Sequence, residues 1–527
     1  MRHPAARKNI AAGKLFILLL LLLIFILPGC ATNPVTGRPE LNLISESREI
    51  QLGRENYGPS RQIQGGDYNL DPELTRYVKN VGMKLAAVSD RPNLPYDFAV
   101  INNSVPNAWA LPGGKIAVNR GLLVELKNEA ELAAVLGHEI VHAAARHGAK
   151  SMERGMLLEG ALLATAMAVR NSDYASLAIG GAQIGAVLIS QKYSRNAELE
   201  ADYYGMRYMS RAGYNPQAAV RLQELFLRLS KEGRQNWLNG LFASHPPSRE
   251  RLEANRETAL SLPPGGKLYA KRYQLKIAHL IKTKEAYKAY DEGRKALSKG
   301  KIKKALALSQ KAIKIEKREA LFYGLRGDAR LKQRRLKDAL KDFNKALSLN
   351  DRFFYFYLKR GQTEAKLGDR LAARRDLEKS KSLLPTASAY NSLGNLYLAE
   401  GHRQKAVQYF RAAAGSKSQP GRQALRSLVR LDLSDNPGEY LKVRLGLNDR
   451  RYVVARIFNS TPLPVHNVEI RIFFRDSLGQ LRRVTRSVQG IIEPGRTALV
   501  WLGLGPVKNA SSLQNIKVSV VRARTVE

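Results

Sequence analysis

The sequence predicts a multidomain chain: a mainly α domain with a small β element, then an α-solenoid of helical repeats, then a C-terminal all-β, sandwich-like domain. Three observations predict it. A helix-spaced apolar stripe surrounds Gly137-His138-Glu139-Ile140-Val141-His142, glycines recur in steps of 34, 34 and 33 residues from Gly293, and runs of alternating residues follow Glu439. A chain of 527 residues has room for two to four domains.

At the amino terminus, Arg2, Arg7, Lys8 and Lys14 precede an unbroken apolar run from Leu15 to Leu27. Its 13 residues are short for a membrane span, which needs about 20, and suit the apolar core of a secretory signal. The run ends in Leu27-Pro28-Gly29-Cys30, which resembles a bacterial lipoprotein signal peptide of residues 1–29, with cleavage before Cys30 and lipidation of that residue. Pro28 departs from the usual pattern, so an uncleaved anchor is the alternative. Cys30 is the only cysteine, which excludes disulfides within the chain. Ala31 in place of aspartate favours the outer membrane over the inner one, facing the periplasm, under the usual bacterial sorting pattern.

The first domain is built around one helix. From Glu129 to Arg146 there is no proline, one glycine, and apolar residues at Leu132, Val135, Leu136, Ile140 and Val141. On such a helix His138 and His142 lie on one face about one turn apart, where they can share a tetrahedral zinc ion, one per chain. Glu139 fits the role of catalytic base, taking a proton from the attacking water and passing it to the leaving amine. An amphipathic helix that happens to carry these residues is the plain alternative. For the third ligand, His147 lies five residues after His142 with Ala145 between, so the His-x-x-Gly-x-x-His extension is absent and His147 reads as an ordinary helix-end histidine. Further on, Glu198 and Asp202 are one helical turn apart. One carboxylate could go to the metal and the other to a histidine N–H, with Glu200 off that face.

Before that helix, Leu111-Pro112-Gly113-Gly114 is a turn signal and Lys115, Ile116, Ala117 and Val118 are strand-type residues. An exposed strand there could pair with an extended substrate through main-chain hydrogen bonds. A structural hairpin is the alternative. Residues 156–190, rich in Leu, Ala, Ile and Gly, are cut by Arg170-Asn171-Ser172-Asp173 into pieces too short to span a membrane, and read as helices around the site or a cover over it.

Taken in order, the Asn107–Val118 stretch, His138-Glu139-Ile140-Val141-His142, Ser194-Arg195-Asn196-Ala197-Glu198-Leu199-Glu200-Ala201-Asp202, and Ser244-His245-Pro246-Pro247 with Arg251 resemble the HtpX-like, BepA-like gluzincin metallopeptidases over about residues 40–260. The resemblance implies a zincin-type metallopeptidase domain, residues 30–262, in which His138, His142 and Glu198 bind zinc, Glu139 is the base and Asp202 supports the site. It also implies that His245 and Arg251 lie near enough for a regulatory ligand or an oxyanion contact; a turn histidine before two prolines is the alternative. The activity it implies is cleavage of misfolded or stalled envelope proteins, with the outer-membrane assembly machinery as a partner. A non-proteolytic chaperone or scaffold lipoprotein is the competing class.

Charge divides the chain. Residues 31–260 carry 26 Lys plus Arg against 24 Asp plus Glu, whereas residues 261–527 carry 56 against 22. Leu262-Pro263-Pro264-Gly265-Gly266 marks the boundary, and residues 263–285 read as a basic helical linker. Gly293, Gly327, Gly361 and Gly394 are each followed twelve residues later by alanine, at Ala305, Ala339, Ala373 and Ala406, with Phe343, Leu377 and Phe410 as equivalent large residues. The pattern resembles tetratricopeptide repeats, residues 286–420, with a degenerate first repeat carrying Ser309. The basic surplus suggests an acidic partner: anionic lipid, lipopolysaccharide phosphates or an acidic protein segment. Nucleic acid would suit the charge but not a secreted chain. Residues 437–527 read as the β-sandwich-like domain.

Overall fold

A computed structural model describes residues 30–159, 187–189, 192–233, 240–476, 478–507 and 510–526. The expected signal segment, residues 1–29, and most of the 156–190 stretch lie outside them. The chain divides into two compact units, Met1–Thr363 and Glu364–Glu527. Among the described residues no helix is long and apolar enough to cross a membrane.

The first unit opens with a short ribbon in which Cys30–Thr32 pairs antiparallel with Pro39–Leu41. Asn33 and Glu40 hold it to the domain: the Asn33 amide donates to Glu40 and to the Ala145 carbonyl, and Lys150 donates to Glu40 at 2.7 Å. A three-stranded sheet follows. Lys115–Asn119 is its central strand, parallel to Asp97–Ile101 and antiparallel to Ala108–Leu111, and all three strands are almost wholly buried. This corrects the expectation for Lys115, Ile116, Ala117 and Val118. Both edges of that strand are taken by neighbours, so it has no free main-chain groups for a substrate. The Asp97–Ile101 edge is partly covered as well, by Asp67 and Tyr68. The remaining edge is Ala108–Leu111, which packs on the histidine-bearing helix.

That helix, Glu129–Ala144, begins at Asn128, whose side chain accepts from Glu131 N at 2.9 Å. Fifteen of its sixteen residues are buried, so it is a core helix covered on all sides rather than an amphipathic surface one. It ends where Arg146 takes a left-handed conformation, φ 61°. Arg91, buried, directs its guanidinium at the Ala143 and Ala144 carbonyls, which caps the negative end of the helix dipole. Buried Glu49 balances the charge, accepting from Arg91 at 3.2 Å and Arg146 at 3.0 Å.

A second helix, Arg195–Arg211, crosses the first at a contact of two glycines. A Cβ on Gly137 would stand 3.1 Å from the Gly205 carbonyl oxygen, and one on Gly205 would stand 3.0 Å from His138 N. Only backbone fits between the helices there. Ser194 caps this second helix by accepting from Ala197 N, and its first turn carries Glu198. The helix Arg249–Ser261 packs against it and against Gln217–Lys231, which in turn contacts the histidine helix. The stretch expected as a linker contains the helix Ala270–Lys282, which packs on Pro72–Ala86 and on the histidine helix; its Tyr273 hydroxyl donates to the Leu123 carbonyl at 2.6 Å.

Helix pairs then repeat. In the first unit Lys284–Ser298 packs with Ile302–Ile315 and Ala320–Lys332 with Leu336–Leu349. The recurring glycine has a steric cause: a Cβ on Gly327 would stand 2.8 Å from the Phe343 ring. A buried network joins these pairs to the sheet. Glu319 accepts from the Asn102 amide, the Tyr287 hydroxyl and Leu321 N, while Arg120 donates to Asn102 at 2.7 Å and lies 3.3 Å over the Tyr287 ring. The second unit continues the helical hairpins with Ala387–Ala399 and Arg403–Ala414, and then two three-stranded antiparallel sheets. One orders Thr497–Trp501, Val453–Asn459 and Leu441–Leu447; the other orders Lys517–Thr525, Val465–Arg475 and Leu481–Ser487.

Candidate metal centre

Beside the glycine crossing four side chains converge, three from the two helices and one from a turn. Ligand atoms of His138, His142, Glu198 and His245 all lie within 4.8 Å of one another. His138 Nε2 is 3.0 Å from His142 Nε2 and 3.5 Å from Glu198 Oε2, and His142 Nε2 is 3.4 Å from Glu198 Oε1. A tetrahedral zinc ion about 2.1 Å from each donor sets donors about 3.4 Å apart. The three expected ligands therefore already have the spacing such an ion requires.

Hydrogen bonding from behind decides which atoms face the centre. His138 Nδ1 is 2.9 Å from Asp202 Oδ1, so that nitrogen carries the proton and Nε2 presents its lone pair. His142 Nδ1 is 2.8 Å from His147 Nδ1, and His147 Nε2 is 3.2 Å from Glu200 Oε1. With the carboxylate accepting, His147 must donate from Nε2 and accept at Nδ1. His142 then donates from Nδ1, and its Nε2 lone pair also faces inward. These tautomers are assigned from their partners. Two imidazole lone pairs and a carboxylate thus converge, an arrangement that suits a cation.

The charges fit the same reading. Burial holds the His142 imidazole well below its ordinary range, in the neutral form a metal needs. For Glu198 burial acts to raise the carboxyl, but His245, Arg251 and His138 outweigh it and hold the group well below the usual range. Arg251, 6% exposed, places Nη1 2.8 Å from Glu198 Oε2 and donates from Nε to Asp202 Oδ2 at 2.7 Å. It thereby offsets two buried carboxylates on one helix face.

Glu139 follows His138 and is 1% exposed. Its Oε2 has no hydrogen-bond partner among the described residues and Oε1 lies 3.5 Å from His245 Nε2. Burial raises its pKa, which moves a carboxylate toward the range useful for proton transfer near neutrality. A cavity of about 50 Å³ lies beside it, lined by His138, Glu139, His245, Arg251 and apolar residues of four helices. One water needs about 10–15 Å³ of such space, so the cavity can hold a few. His245 comes from the turn after Leu241–Ser244; its Nδ1 lies 2.9 Å from Glu198 Oε1 and 3.2 Å from His138 Nε2. Cys30 stands apart from this cluster, at the start of the amino-terminal ribbon.

Three participants were not legible in the sequence. His147 is the fifth residue after His142, which on a continuous helix would point elsewhere, but the left-handed Arg146 breaks the helix and returns the ring to His142. Glu200 does point off the face of Glu198 and Asp202, and the side it takes is the one His147 occupies. Tyr193 stacks on His142 with ring centroids 3.9 Å apart and planes 17° apart. Nothing in their spacing signals these contacts.

Comparison with known proteins agrees with this geometry. Residues 72–259 match Peptidase family M48, and residues 290–352 and 387–420 match tetratricopeptide repeats. The chain is 29% identical over 239 residues to the beta-barrel assembly-enhancing protease of Escherichia coli, covering 44% of this chain and 48% of that protein. It is 32% identical over 205 residues to the protein of the same name from Yersinia pestis, covering 37% and 40%. To the mitochondrial metalloendopeptidase OMA1 of Schizosaccharomyces pombe it is 32% identical over 230 residues, covering 42% and 65%. The chain spans about half the length of the beta-barrel assembly-enhancing protease of Escherichia coli.

Proposed function

We propose that this chain, with its M48 metallopeptidase domain and tetratricopeptide repeats, is a zinc-dependent endopeptidase of the bacterial cell envelope that degrades misfolded or stalled envelope proteins. The observation that carries the reading is the convergence of the His138 and His142 lone pairs and the Glu198 carboxylate at tetrahedral spacing, beside the buried Glu139 carboxylate, whose Oε2 has no hydrogen-bond partner among the described residues.

A zinc ion held by His138, His142 and Glu198 would supply an activated water and polarise the scissile carbonyl. Glu139 takes the proton of the attacking water and delivers it to the leaving amine, with no covalent enzyme intermediate. Asp202 and the His147–Glu200 pair fix the imidazole orientations, and Arg251 keeps Glu198 and Asp202 ionised. An extended substrate pairs with Ala108–Leu111, the buried sheet edge that no described strand occupies, once it is uncovered. His245 holds the fourth corner of the cluster, so its turn must move away for a substrate carbonyl to enter. That resting arrangement also favours a second reading, a chaperone or scaffold whose proteolysis is held in check.

Cys30, lipidated, would tether the domain to the outer membrane on its periplasmic side. The repeats would dock clients or the outer-membrane assembly machinery, and the basic carboxy-terminal half an anionic partner. Glu139→Gln tests the reading. It should retain one zinc per chain and lose cleavage of unfolded protein by about 10²-fold or more. A metal-free wild type, or a variant that cleaves as well as wild type, would overturn it.

A further inference from the structure

The second unit leaves one sheet face unusually dressed. In the sheet of Leu441–Leu447, Val453–Asn459 and Thr497–Trp501, Trp501 lies opposite Val454, Leu499 opposite Arg456 and then Arg444, and Thr497 opposite Phe458 and then Lys442. Side chains alternate along each strand, so all of these share one face. The intervening Val453, Ala455, Ile457 and Val500 are buried on the other face. On the outward face Trp501 is 63% exposed, Leu499 69% and Phe458 39%, with Lys442, Arg444 and Arg456 exposed beside them.

Scattered exposed apolar residues need no explanation, but a Trp, a Leu and a Phe on one face do. No carboxylate occupies a register position on this face, and Arg444 and Arg456 form no ion pair with a carboxylate among the described residues. Residues 441–527 as a whole carry 15 Lys plus Arg against 5 Asp plus Glu.

We propose that this face docks on an anionic lipid surface, with Trp501 and Leu499 entering the headgroup region and Lys442, Arg444 and Arg456 meeting lipid phosphates. The layout matches the layering of a bilayer interface. Indole and leucine gain by leaving water at the boundary, and long basic side chains reach back to the phosphates above it. The inference rests on the reading that the chain works at the cell envelope, and it would give a tethered chain a second membrane contact.

The test uses the full chain and vesicles of phosphatidylglycerol and phosphatidylethanolamine with brominated acyl chains, following tryptophan emission. Of the other two tryptophans Trp109 is buried and Trp237 lies outside the described residues, so the Trp501 component is taken as the emission that Trp501→Phe removes, and brominated lipid should quench that component. Arg444→Glu with Arg456→Glu should weaken vesicle binding about tenfold or more at low salt, and phosphatidylcholine vesicles should bind far less. Circular dichroism checks that each variant is folded. The proposal fails if brominated anionic vesicles leave the Trp501 component unquenched, if charge reversal leaves binding unchanged, or if phosphatidylcholine does as well. A response to polyglutamate without lipid quenching would reassign the face to an acidic protein. No readout depends on zinc or peptide cleavage, so failure here is distinct from failure of the peptidase reading.

Discussion

His147 Nδ1 sits 2.8 Å from His142 Nδ1, and through its other nitrogen His147 is tied to Glu200 at 3.2 Å. The contact sets the tautomer of a ligand from outside the metal's own shell. Asp202 does the same for His138 at 2.9 Å. Each inward-facing imidazole is therefore held by an anion, in one case directly and in the other through a second imidazole.

From that relay, His147→Ala should lower zinc affinity about 10- to 100-fold, measured by competition with a chelating dye. His147→Asn should recover part of it, because the side-chain amide oxygen can accept from His142. Equal affinities in wild type and the alanine variant would show that the relay contributes nothing.

Arg251→Ala should cost on the order of 3–5 kcal/mol in urea unfolding, because Glu198 and Asp202 would be left buried without their counter-charge. Arg195→Ala, which breaks the exposed pair with Glu250, should leave the transition where it is.

Acid stability should depend on Asp202. Burial acts to raise its pKa, but the charge and hydrogen bonds of Arg251, with His138, prevail and lower it. A carboxylate with a depressed folded pKa contributes stability above its unfolded value, about 3.9, and loses it as pH falls through the folded value. Stability should therefore fall below about pH 4, and Asp202→Asn should flatten that limb in a pH series of thermal melts.

His245→Ala should raise the rate of peptide cleavage at saturating zinc, because it frees the corner next to Glu139. A fall in rate would instead assign His245 to substrate contact.

The Glu319 network should hold the repeats to the sheet. Glu319→Ala removes the acceptor of Asn102, Tyr287 and Leu321 N, and should cost on the order of 2–3 kcal/mol. Limited trypsin digestion should then cut the Lys-rich 284–315 helices faster than in wild type.

Local and periodic features were legible in the order of residues alone. The spacing of His138 and His142 forces two imidazoles onto one helix face, the recurring glycines mark where a bulky partner such as Phe343 must fit, and strand alternation after Glu439 separates an inner from an outer face. Each is a consequence of helix or strand period, which neighbouring residues carry within themselves. Which distant groups meet was settled by the tertiary structure. It placed Lys115–Val118 at the centre of its sheet and Ala108–Leu111 at its edge, because pairing partners are chosen across turns and crossovers. It returned His147 to His142 through a helix break at Arg146 that no spacing rule encodes. It seated Glu198 and Asp202 beside the histidines because Gly137 and Gly205 let two backbones touch, and a close approach needs both surfaces in place at once.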